Sequence, residues 1–191
     1  MDLPGLSFQP NFNQFSGYLT LNATTDKSMF YWFVESQNNP ANDPLLIWLQ
    51  GGPGCSGLIG FFQEHGPFLI NTSGELVSNP YSWNRLANVV YIESPVGVGF
   101  SYSNDSNDYI TNDNQTASEN YQFVQLFLQE FPQFSQNEFW ITGESYAGVY
   151  GPMLANLIVT GSDSQLISNF QGFALGNPVT SCPELKANDL N

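Results

Sequence analysis

The 191-residue sequence has very little positive charge: three Lys and Arg residues stand against 17 Asp and Glu residues, beside a single histidine. The formal net charge is −14. A polyanion of this kind is repelled by nucleic acid and by anionic membrane surfaces, so neither is expected as a partner. The acidity has two explanations that stay open here: solubility, or residence in an acidic compartment where many carboxylates are protonated.

Long apolar runs and cysteines are also scarce. No stretch of about 18 or more apolar residues occurs, so no transmembrane helix is expected. No basic segment followed by an apolar one opens the chain, so no signal peptide is visible. Cys55 and Cys182 are too few for a disulfide scaffold and lack the spacing of metal ligands, so we expect neither a metal nor a cofactor. A bridge between these two cysteines stays open as an alternative.

Apolar and aromatic residues, by contrast, are plentiful. They make up 41% and 15% of the sequence, while charged residues make up only 10%. This composition excludes a disordered chain, which requires low hydrophobicity. The length predicts one domain, or part of one.

Acceptor triplets for N-glycosylation occur four times, each without proline in the middle position. Their number favours passage through a secretory route. The candidate residues are Asn22, Asn71, Asn104 and Asn114.

Short β-prone runs alternate with helical patterns after an initial hairpin. This order predicts an α/β fold with a mostly parallel central sheet. A capping box at Thr116 and Glu119 predicts the start of a helix that ends near Phe131, and a second helix begins at Ser145. The predicted strands are 15–22 and 29–35, which form the hairpin, then 45–50, 86–93, 139–143 and 170–175.

Ser145 lies where a β-prone run meets a helical segment, and small residues, Gly143 and Ala147, flank it at positions −2 and +2. A serine on such a strand-to-helix turn is exposed and can act as a nucleophile. The pattern departs from G-x-S-x-G because Ala replaces the last Gly. On this pentapeptide alone, a serine that merely caps an ordinary helix is an equal alternative.

A glycine-rich loop follows the buried strand 45–50. Glycines there leave backbone N–H groups uncovered and allow a substrate oxygen to approach closely. In hydrolases with a strand, a turn and a helix around the nucleophile, such an N–H joins the N–H after the nucleophile in an oxyanion hole. The candidate donors are the amides of Gly52 and Tyr146.

Five segments together resemble the serine carboxypeptidases, in that family's order and spacing. They are 48–56 (WLQGGPGCS), 64–67 (EHGP), 79–84 (NPYSWN), 93–103 (ESPVGVGFSYS) and 143–148 (GESYAG). The resemblance implies an α/β-hydrolase fold of which residues 1–191 are the N-terminal portion, without the C-terminal strands and the cap insertion. It also implies release of C-terminal amino acids from peptides through an acyl-enzyme, in a lysosome or vacuole or after secretion, and leaves a homodimer open.

The resemblance also assigns residues to the binding of the substrate's terminal carboxylate. They are Trp48, Gln50, the Gly51 amide, Glu64 and Glu144. Two neighbouring carboxyl groups beside a substrate carboxylate cannot all ionise, so binding is expected to weaken as the pH rises. Gln50 departs from the Asn that the family usually has at this position, which leaves the affinity for carboxylates open.

No base for Ser145 is apparent in the sequence. His65 precedes the serine, whereas on this architecture the acid and the base follow it, and the resemblance implies a structural role for His65. We therefore expect a truncated chain that is inactive alone, and the resemblance implies a partner for Cys55 beyond residue 191. Two other functions stay open: an acyltransferase or esterase on the same scaffold, and a non-catalytic protein that protects or binds partners.

Overall fold

The N-terminal part of the chain forms an antiparallel hairpin, as the sequence predicts. The computed structural model describes residues 3–6 and 8–180. Strand β1 spans Gln14–Asn22 and strand β2 spans Lys27–Val34, with Gln14 opposite Val34. Strand β2 also pairs along its other edge with a further strand of the main sheet. The hairpin therefore forms one side of that sheet.

The main sheet has six strands in the order β1-β2-β6-β3-β7-β8. Pairing is antiparallel from β1 to β6 and parallel from β6 to β8, so the predicted mostly parallel centre is confirmed. The carboxyl ends of β3 and β7 consequently lie side by side. The added strands are β3 Leu45–Leu49, β6 Asn88–Ile92, β7 Phe139–Glu144 and β8 Phe170–Gly176, and a separate ribbon contains β4 Phe68–Ile70 and β5 Leu76–Ser78.

Within residues 3–6 and 8–180, three α-helices accompany the sheet: α1 Asp113–Glu130, α2 Ala147–Thr160 and α3 Ser164–Asn169. No helix in the part of the chain that the structure describes is both long and apolar enough to cross a membrane. Shorter turns complete the fold. They are the π-helical turn Gly60–Glu64 and the 3₁₀ turns Trp83–Arg85, Ser106–Tyr109 and Pro132–Phe134.

The predicted capping box at the start of α1 is wrong. The helix begins one turn earlier, where the Asn112 side chain accepts a hydrogen bond from the backbone of Gln115. Asn is as good an N-cap as Thr, and Glu119 has a different partner, the buried Lys27. The predicted helix end is confirmed, because α1 stops at Glu130, two residues before a proline.

Two apolar cores cover the faces of the sheet. On one face, aromatic side chains from β2, α1 and the turn after it pack together in edge-to-face and tilted pairs, an arrangement that the ring quadrupole favours. On the other face, Phe61 and Phe68 pack against Trp48 and Tyr91. The ring pairs on the first face join Phe33 to Phe127, Phe131 and Phe134.

Lys27 is a buried cation at the start of β2. Its ammonium lies 2.7 Å from Glu119 Oε1 and 2.9 Å from Asp108 Oδ1, with only 7% of the residue exposed. Burial alone would lower the pKa of Lys27, but hydrogen bonds to the two carboxylates outweigh burial and raise it. The Ser103 hydroxyl and Lys27 hold the pKa of Asp108 at about 2. This ion triplet ties the hairpin to α1.

Candidate active site

Ser145 lies on the turn that joins β7 to α2, and it is exposed to solvent. Its φ of +55° lies in the left-handed region, which non-glycine residues rarely adopt and which marks functional turns. The helix begins at Ala147 with Tyr146 at the N-cap, so Ser145 is not a simple helix cap and α2 begins two residues later than predicted. The backbone of Ser145 is fixed on both sides, since it donates to Gly176 and accepts from Val179.

Small residues are required on either side of the serine. A side chain at Gly143 would collide with the carbonyl of Leu49 and would lie 2.6 Å from the Cβ of Ala147. The strand end and the first turn of the helix can therefore approach closely only with Gly at position −2 and a residue as small as Ala at position +2. This explains why Ala in place of the last Gly is compatible with the turn.

The glycine loop after β3 lies directly against the serine. A Cβ added to Gly51 would be 2.6 Å from the Ser145 Cβ and 3.0 Å from its Oγ. The next residue, Gly52, has a φ of +117°, which favours glycine. The structure thus brings together the loop and the serine that the sequence predicted as neighbours, and Tyr146 follows the serine directly. Of the glycines in this loop, Gly51 lies nearest to Ser145.

Beneath this loop, four of the side chains predicted for carboxylate binding form one hydrogen-bonded network. Gln50 Oε1 accepts from Trp48 Nε1 at 2.7 Å. Gln50 Nε2 donates to Glu64 Oε1 at 3.1 Å and to Glu144 Oε1 at 2.7 Å. The turn Gly60–Glu64 brings Glu64 to the network, whereas Glu144 ends β7 next to the serine.

The two carboxyl groups of the network share a setting without a positive charge. Burial raises the pKa of Glu64 and the charge of Glu144 raises it further, while the hydrogen bond from Gln50 acts in the opposite direction. The cations of the described chain are engaged elsewhere: Lys27 binds two carboxylates, and Arg85 donates to a backbone carbonyl. The setting therefore favours the protonated form of the Glu64 carboxyl group.

His65 is packed inside the protein and does not reach the serine. Its ring lies 4.1 Å from the rings of Trp48 and Trp83, and its Nδ1 is 3.1 Å from the Tyr91 hydroxyl. Its Nε2 has no hydrogen-bond partner among the described residues, and burial lowers its pKa to about 4. The sequence holds no other histidine, so no imidazole of this chain is hydrogen-bonded to Ser145.

Two supporting residues were not predicted from the sequence. The backbone N–H of Gly60 donates to Gln50 Oε1 at 3.2 Å, and a side chain at Gly60 would collide with Trp48. The carboxylate of Asp113 accepts from the Tyr146 hydroxyl. Both contacts join residues far apart in sequence, so no local pattern indicates them.

Glu93 is a third residue that sequence reasoning did not single out by itself. It follows β6, is fully buried, and accepts from the Ser56 hydroxyl at 2.6 Å. Backbone groups of Gly57 and Leu58 also bond to it, while its Oε2 has no partner in the described chain. Burial raises its pKa despite these hydrogen bonds. The carboxyl group therefore anchors the end of the glycine loop.

We predict that Glu93→Gln removes a pH-dependent loss of stability. A carboxyl whose pKa is raised by folding costs nothing below its unfolded value, near pH 4, and destabilises the folded state progressively as the pH rises through its folded value. The melting temperature of the variant relative to wild type should therefore increase as the pH rises above the unfolded value, about 4. The exposed Glu138→Gln serves as the control and should show no such trend. Parallel curves for Glu93→Gln and wild type would contradict the prediction.

Three of the glycosylation candidates and Cys55 lie on the surface. Three glycosylation candidates, Asn22, Asn104 and Asn114, are exposed, while Asn71 is half-buried and its side chain holds a turn by accepting from two backbone amides. Cys55 is exposed and unpaired within residues 3–6 and 8–180, and Cys182 lies outside these residues. Across the same residues, no group of three or more His, Cys, Asp or Glu side chains could hold a metal ion.

An exposed serine on a strained turn after a central parallel strand, with a glycine loop against it, defines the α/β-hydrolase class. A peroxisomal α/β-hydrolase of Saccharomyces cerevisiae, Lpx1, has the same fold, with a TM-score of 0.55, 15% identity, and coverage of 93% of this chain and 48% of that protein. The predicted fold class is confirmed.

Within this class, the chain belongs to the serine carboxypeptidase family, whose sequence profile matches residues 4–188. The chain is 53% identical to the lysosomal protective protein of Mus musculus over 180 residues and 46% identical to serine carboxypeptidase-like 20 of Arabidopsis thaliana over 185 residues. It also resembles the crystal structure of Kex1Δp, a prohormone-processing carboxypeptidase from Saccharomyces cerevisiae, with a TM-score of 0.74 and 27% identity over 87% of this chain and 38% of that chain.

The chain spans only a part of its curated relatives. The alignments cover 94% of this chain but 36% of the mouse protein, and 93% of this chain but 37% of the Arabidopsis protein. Membership of the family is therefore shown for residues 4–188, whereas the activity, substrate and partners of the whole protein are proposals.

Proposed function

We propose that this chain provides the nucleophile and the carboxylate-binding residues of a serine carboxypeptidase that removes C-terminal amino acids from peptides. The observation that carries the proposal is the position of the polar network. Glu144 belongs to the network and directly precedes Ser145, so a peptide whose terminal carboxylate binds there has its last peptide bond near the serine hydroxyl.

In the proposed reaction, the Ser145 oxygen attacks the carbonyl carbon of the last peptide bond, and its proton passes to a base. The oxyanion that forms is stabilised by the amides of Gly52 and Tyr146. Breaking the C–N bond releases the terminal amino acid and leaves an acyl-enzyme at Ser145, which water then hydrolyses. Each step needs a base that returns the proton, and His65 is occupied by its aromatic neighbours.

Recognition of the substrate carboxylate is proposed to depend on a proton held by the Glu64 carboxyl group. A carboxyl group that carries the proton can donate a hydrogen bond to the substrate, whereas two ionised carboxylates would repel it. The raised pKa of Glu64 extends the protonated state to higher pH. Binding should be strongest in acid and weaken as the pH rises through that pKa, which favours an acid optimum.

The name of one relative supports a compartment that matches this optimum. The mouse relative is named a lysosomal protective protein, and we propose a lysosomal, vacuolar or secreted location for this chain, with glycans on the exposed sequons. Peptide or protein C-termini are the proposed substrates, and a homodimer of the longer protein stays part of the proposal.

The same relative also favours a second candidate function, because its name describes protection and this chain shares 53% of the aligned residues with it. A purely protective or binding protein does not need a reactive serine. Labelling of Ser145 by an organophosphonate in the full-length protein distinguishes the two, since only the enzyme should react. An acyltransferase or esterase on this scaffold would also be labelled, and transfer of an acyl group to an alcohol instead of water identifies it.

We predict that the 191-residue chain alone does not hydrolyse a blocked dipeptide with a free C-terminus, because its single histidine is packed among aromatic rings and does not bond to Ser145. A chimera in which this chain replaces the matched segment of the mouse lysosomal protective protein should hydrolyse the same dipeptide in acid. The measurement is release of the C-terminal amino acid, with the C-terminally amidated dipeptide as the control substrate. A chimera that folds but hydrolyses neither substrate, or turnover by the chain alone, would contradict the proposal.

A further inference from the structure

Four aromatic side chains form a continuous row on the hairpin side of the main sheet, and we call them the aromatic row. Tyr18 of β1 lies opposite Phe30 of β2, with the ring centroids 5.4 Å apart. The Tyr102 ring lies 5.4 Å from Tyr18, and the Phe100 ring lies 5.1 Å from Phe30. The backbone of Tyr102 pairs with Ser28, so the segment that carries the last two rings extends the sheet beside β2.

The aromatic row is open to solvent, unlike the rest of this face of the sheet. Phe100 is 59% exposed, Tyr18 47% and Tyr102 36%. Farther along β2, the ring of Trp32 on the same face is covered by Phe61, and the opposite face of the hairpin packs against α1. A single exposed ring is ordinary, but connected exposed rings mark an interaction surface.

A glycosylation acceptor lies at one end of the aromatic row. The side-chain nitrogen of Asn104 donates to Asp26 Oδ2 at 3.4 Å, and the Tyr102 hydroxyl donates to the same oxygen at 3.2 Å. The backbone N–H of Asn104 donates to the carbonyl of Thr25, which holds this segment against the turn of the hairpin. A sugar attached to Asn104 therefore begins beside the Tyr102 ring.

Charge decides between the possible occupants of this surface. The carboxylate of Asp26 lies at the Asn104 end of the row, while Lys27 is buried and already binds two carboxylates. A second copy would bring its own Asp26 to the same border, and two chains with a net charge of −14 repel each other. A neutral glycan meets no such repulsion. The C–H groups on one face of a sugar also carry the partial positive charge that the negative face of an aromatic ring attracts.

We propose that the aromatic row is a carbohydrate-binding surface that holds the N-linked glycan of Asn104. The first sugars lie over Tyr102 and Tyr18 and shield this open part of the sheet from water. The inference rests on the proposed glycosylation and deepens it, since it gives one of the four sequons a binding surface for its glycan. It does not depend on the peptidase activity.

The attachment that the proposal requires uses the side-chain amide of Asn104. A bond forms between Nδ2 and the anomeric carbon of an N-acetylglucosamine, and the bond between that carbon and the pyrophosphate of a lipid-linked donor breaks. The amide nitrogen releases one of its two protons to water. The N–H that remains keeps a donor for Asp26, so the hydrogen bond that orients the amide is compatible with the attached sugar.

The first experiment tests whether Asn104 carries a glycan. The 191-residue chain is produced through the secretory route of a eukaryotic cell, and its glycopeptides are identified by mass spectrometry. We expect Asn104 to be occupied. A bare Asn104 beside other occupied sequons would overturn the inference and leave the proposed secretory route in place. Four bare sequons would contradict the proposed glycosylation itself.

The second experiment measures what the glycan contributes to stability. Ser106→Ala removes the sequon but keeps Asn104 and its contact with Asp26. The melting temperature should fall by about 2–4 °C relative to the glycosylated wild type, as expected for the loss of about one aromatic contact in a chain of this size. Ser73→Ala makes the same change in the exposed sequon of Asn71 and should melt like wild type. Equal melting of wild type and both variants would overturn the inference.

A further variant distinguishes stacking on the rings from a general effect of the glycan. Tyr18→Thr removes a central ring and keeps a residue that favours a strand. In this background, Ser106→Ala should no longer lower the melting temperature, because both changes remove the same contact. The same loss with and without Tyr18 would contradict the surface that we propose.

Two measurements on the wild-type chain need no variant to fold. In NMR spectra of the chain with a ¹³C-labelled glycan, the C–H protons of the first sugars on Asn104 should move upfield, because they lie over aromatic rings. Shifts equal to those of the free glycan would overturn the inference. Analytical ultracentrifugation should show no self-association. A dimer that Tyr18→Thr abolishes would assign the aromatic row to a second copy and overturn the glycan as its occupant.

Discussion

Replacement of Ser145 by Ala in the chimera is expected to lower kcat by about 10⁴-fold to 10⁶-fold, the range for loss of a serine nucleophile. The reason is chemical: the methyl group that remains cannot form the acyl bond, and the other hydroxyl of the turn between β7 and α2, that of Tyr146, is bonded to Asp113. Because Ser145 is exposed and its backbone contacts do not involve the hydroxyl, the melting temperature should stay close to that of the parent. Steady-state kinetics on a blocked dipeptide at acid pH provide the measurement.

The control for this experiment is His65→Ala, which removes the sole histidine of the chain. If His65 is structural, the variant should be destabilised, because the ring is packed between Trp48 and Trp83, but turnover by the folded fraction should persist. A chimera that loses all turnover in His65→Ala while remaining folded would identify His65 as the base. Turnover that survives Ser145→Ala would refute Ser145 as the nucleophile.

The second large effect concerns stability. Lys27→Met should reduce the free energy of unfolding by about 3–5 kcal/mol at neutral pH, as expected when one partner of a buried ion pair is removed. The carboxylates of Asp108 and Glu119 would remain close together without their shared cation. Urea unfolding of the 191-residue chain measures this loss of free energy. The physical cause is that the β1–β2 hairpin is held less tightly against α1 once the ion triplet is broken.

Two comparisons make this prediction specific. Arg85→Met removes the other described cation, which is exposed and bonds to a carbonyl, and should cost less than about 1 kcal/mol. The pKa of Asp108 is depressed to about 2, so the stabilisation that it gains from Lys27 and Ser103 is complete above its unfolded pKa near 4 and is lost between about pH 4 and pH 2. The difference between wild type and Lys27→Met should shrink in that acid range. If Lys27→Met loses the same free energy of unfolding in this acid range as at neutral pH, packing and not charge is the cause.

Local sequence patterns were sufficient for most of the fold. Turn chemistry and β-prone runs placed the hairpin and the four parallel strands within about two residues, because each strand is bounded by glycine, proline or polar residues. The predicted start of α1 was wrong because local signals allow two starting points. Asn112 and Thr116 are both good N-caps, and the choice between them depends on Lys27, which recruits Glu119 from 92 residues away.

For the candidate site, the sequence alone determined the residue types: a serine between small neighbours, glycines after a buried strand, and the motifs that place the chain among serine carboxypeptidases. Only the tertiary structure decided their relations. It set Gly51 against Ser145, saturated Gln50 with four partners, enclosed His65 in aromatic rings and buried Glu93 under the glycine loop. The physical reason is that a local pattern records the conformational preference of only a few residues. The burial, hydrogen bonds and pKa of a side chain depend on distant groups, and the pairing of β3 with β6 and β7 is what brings those groups together.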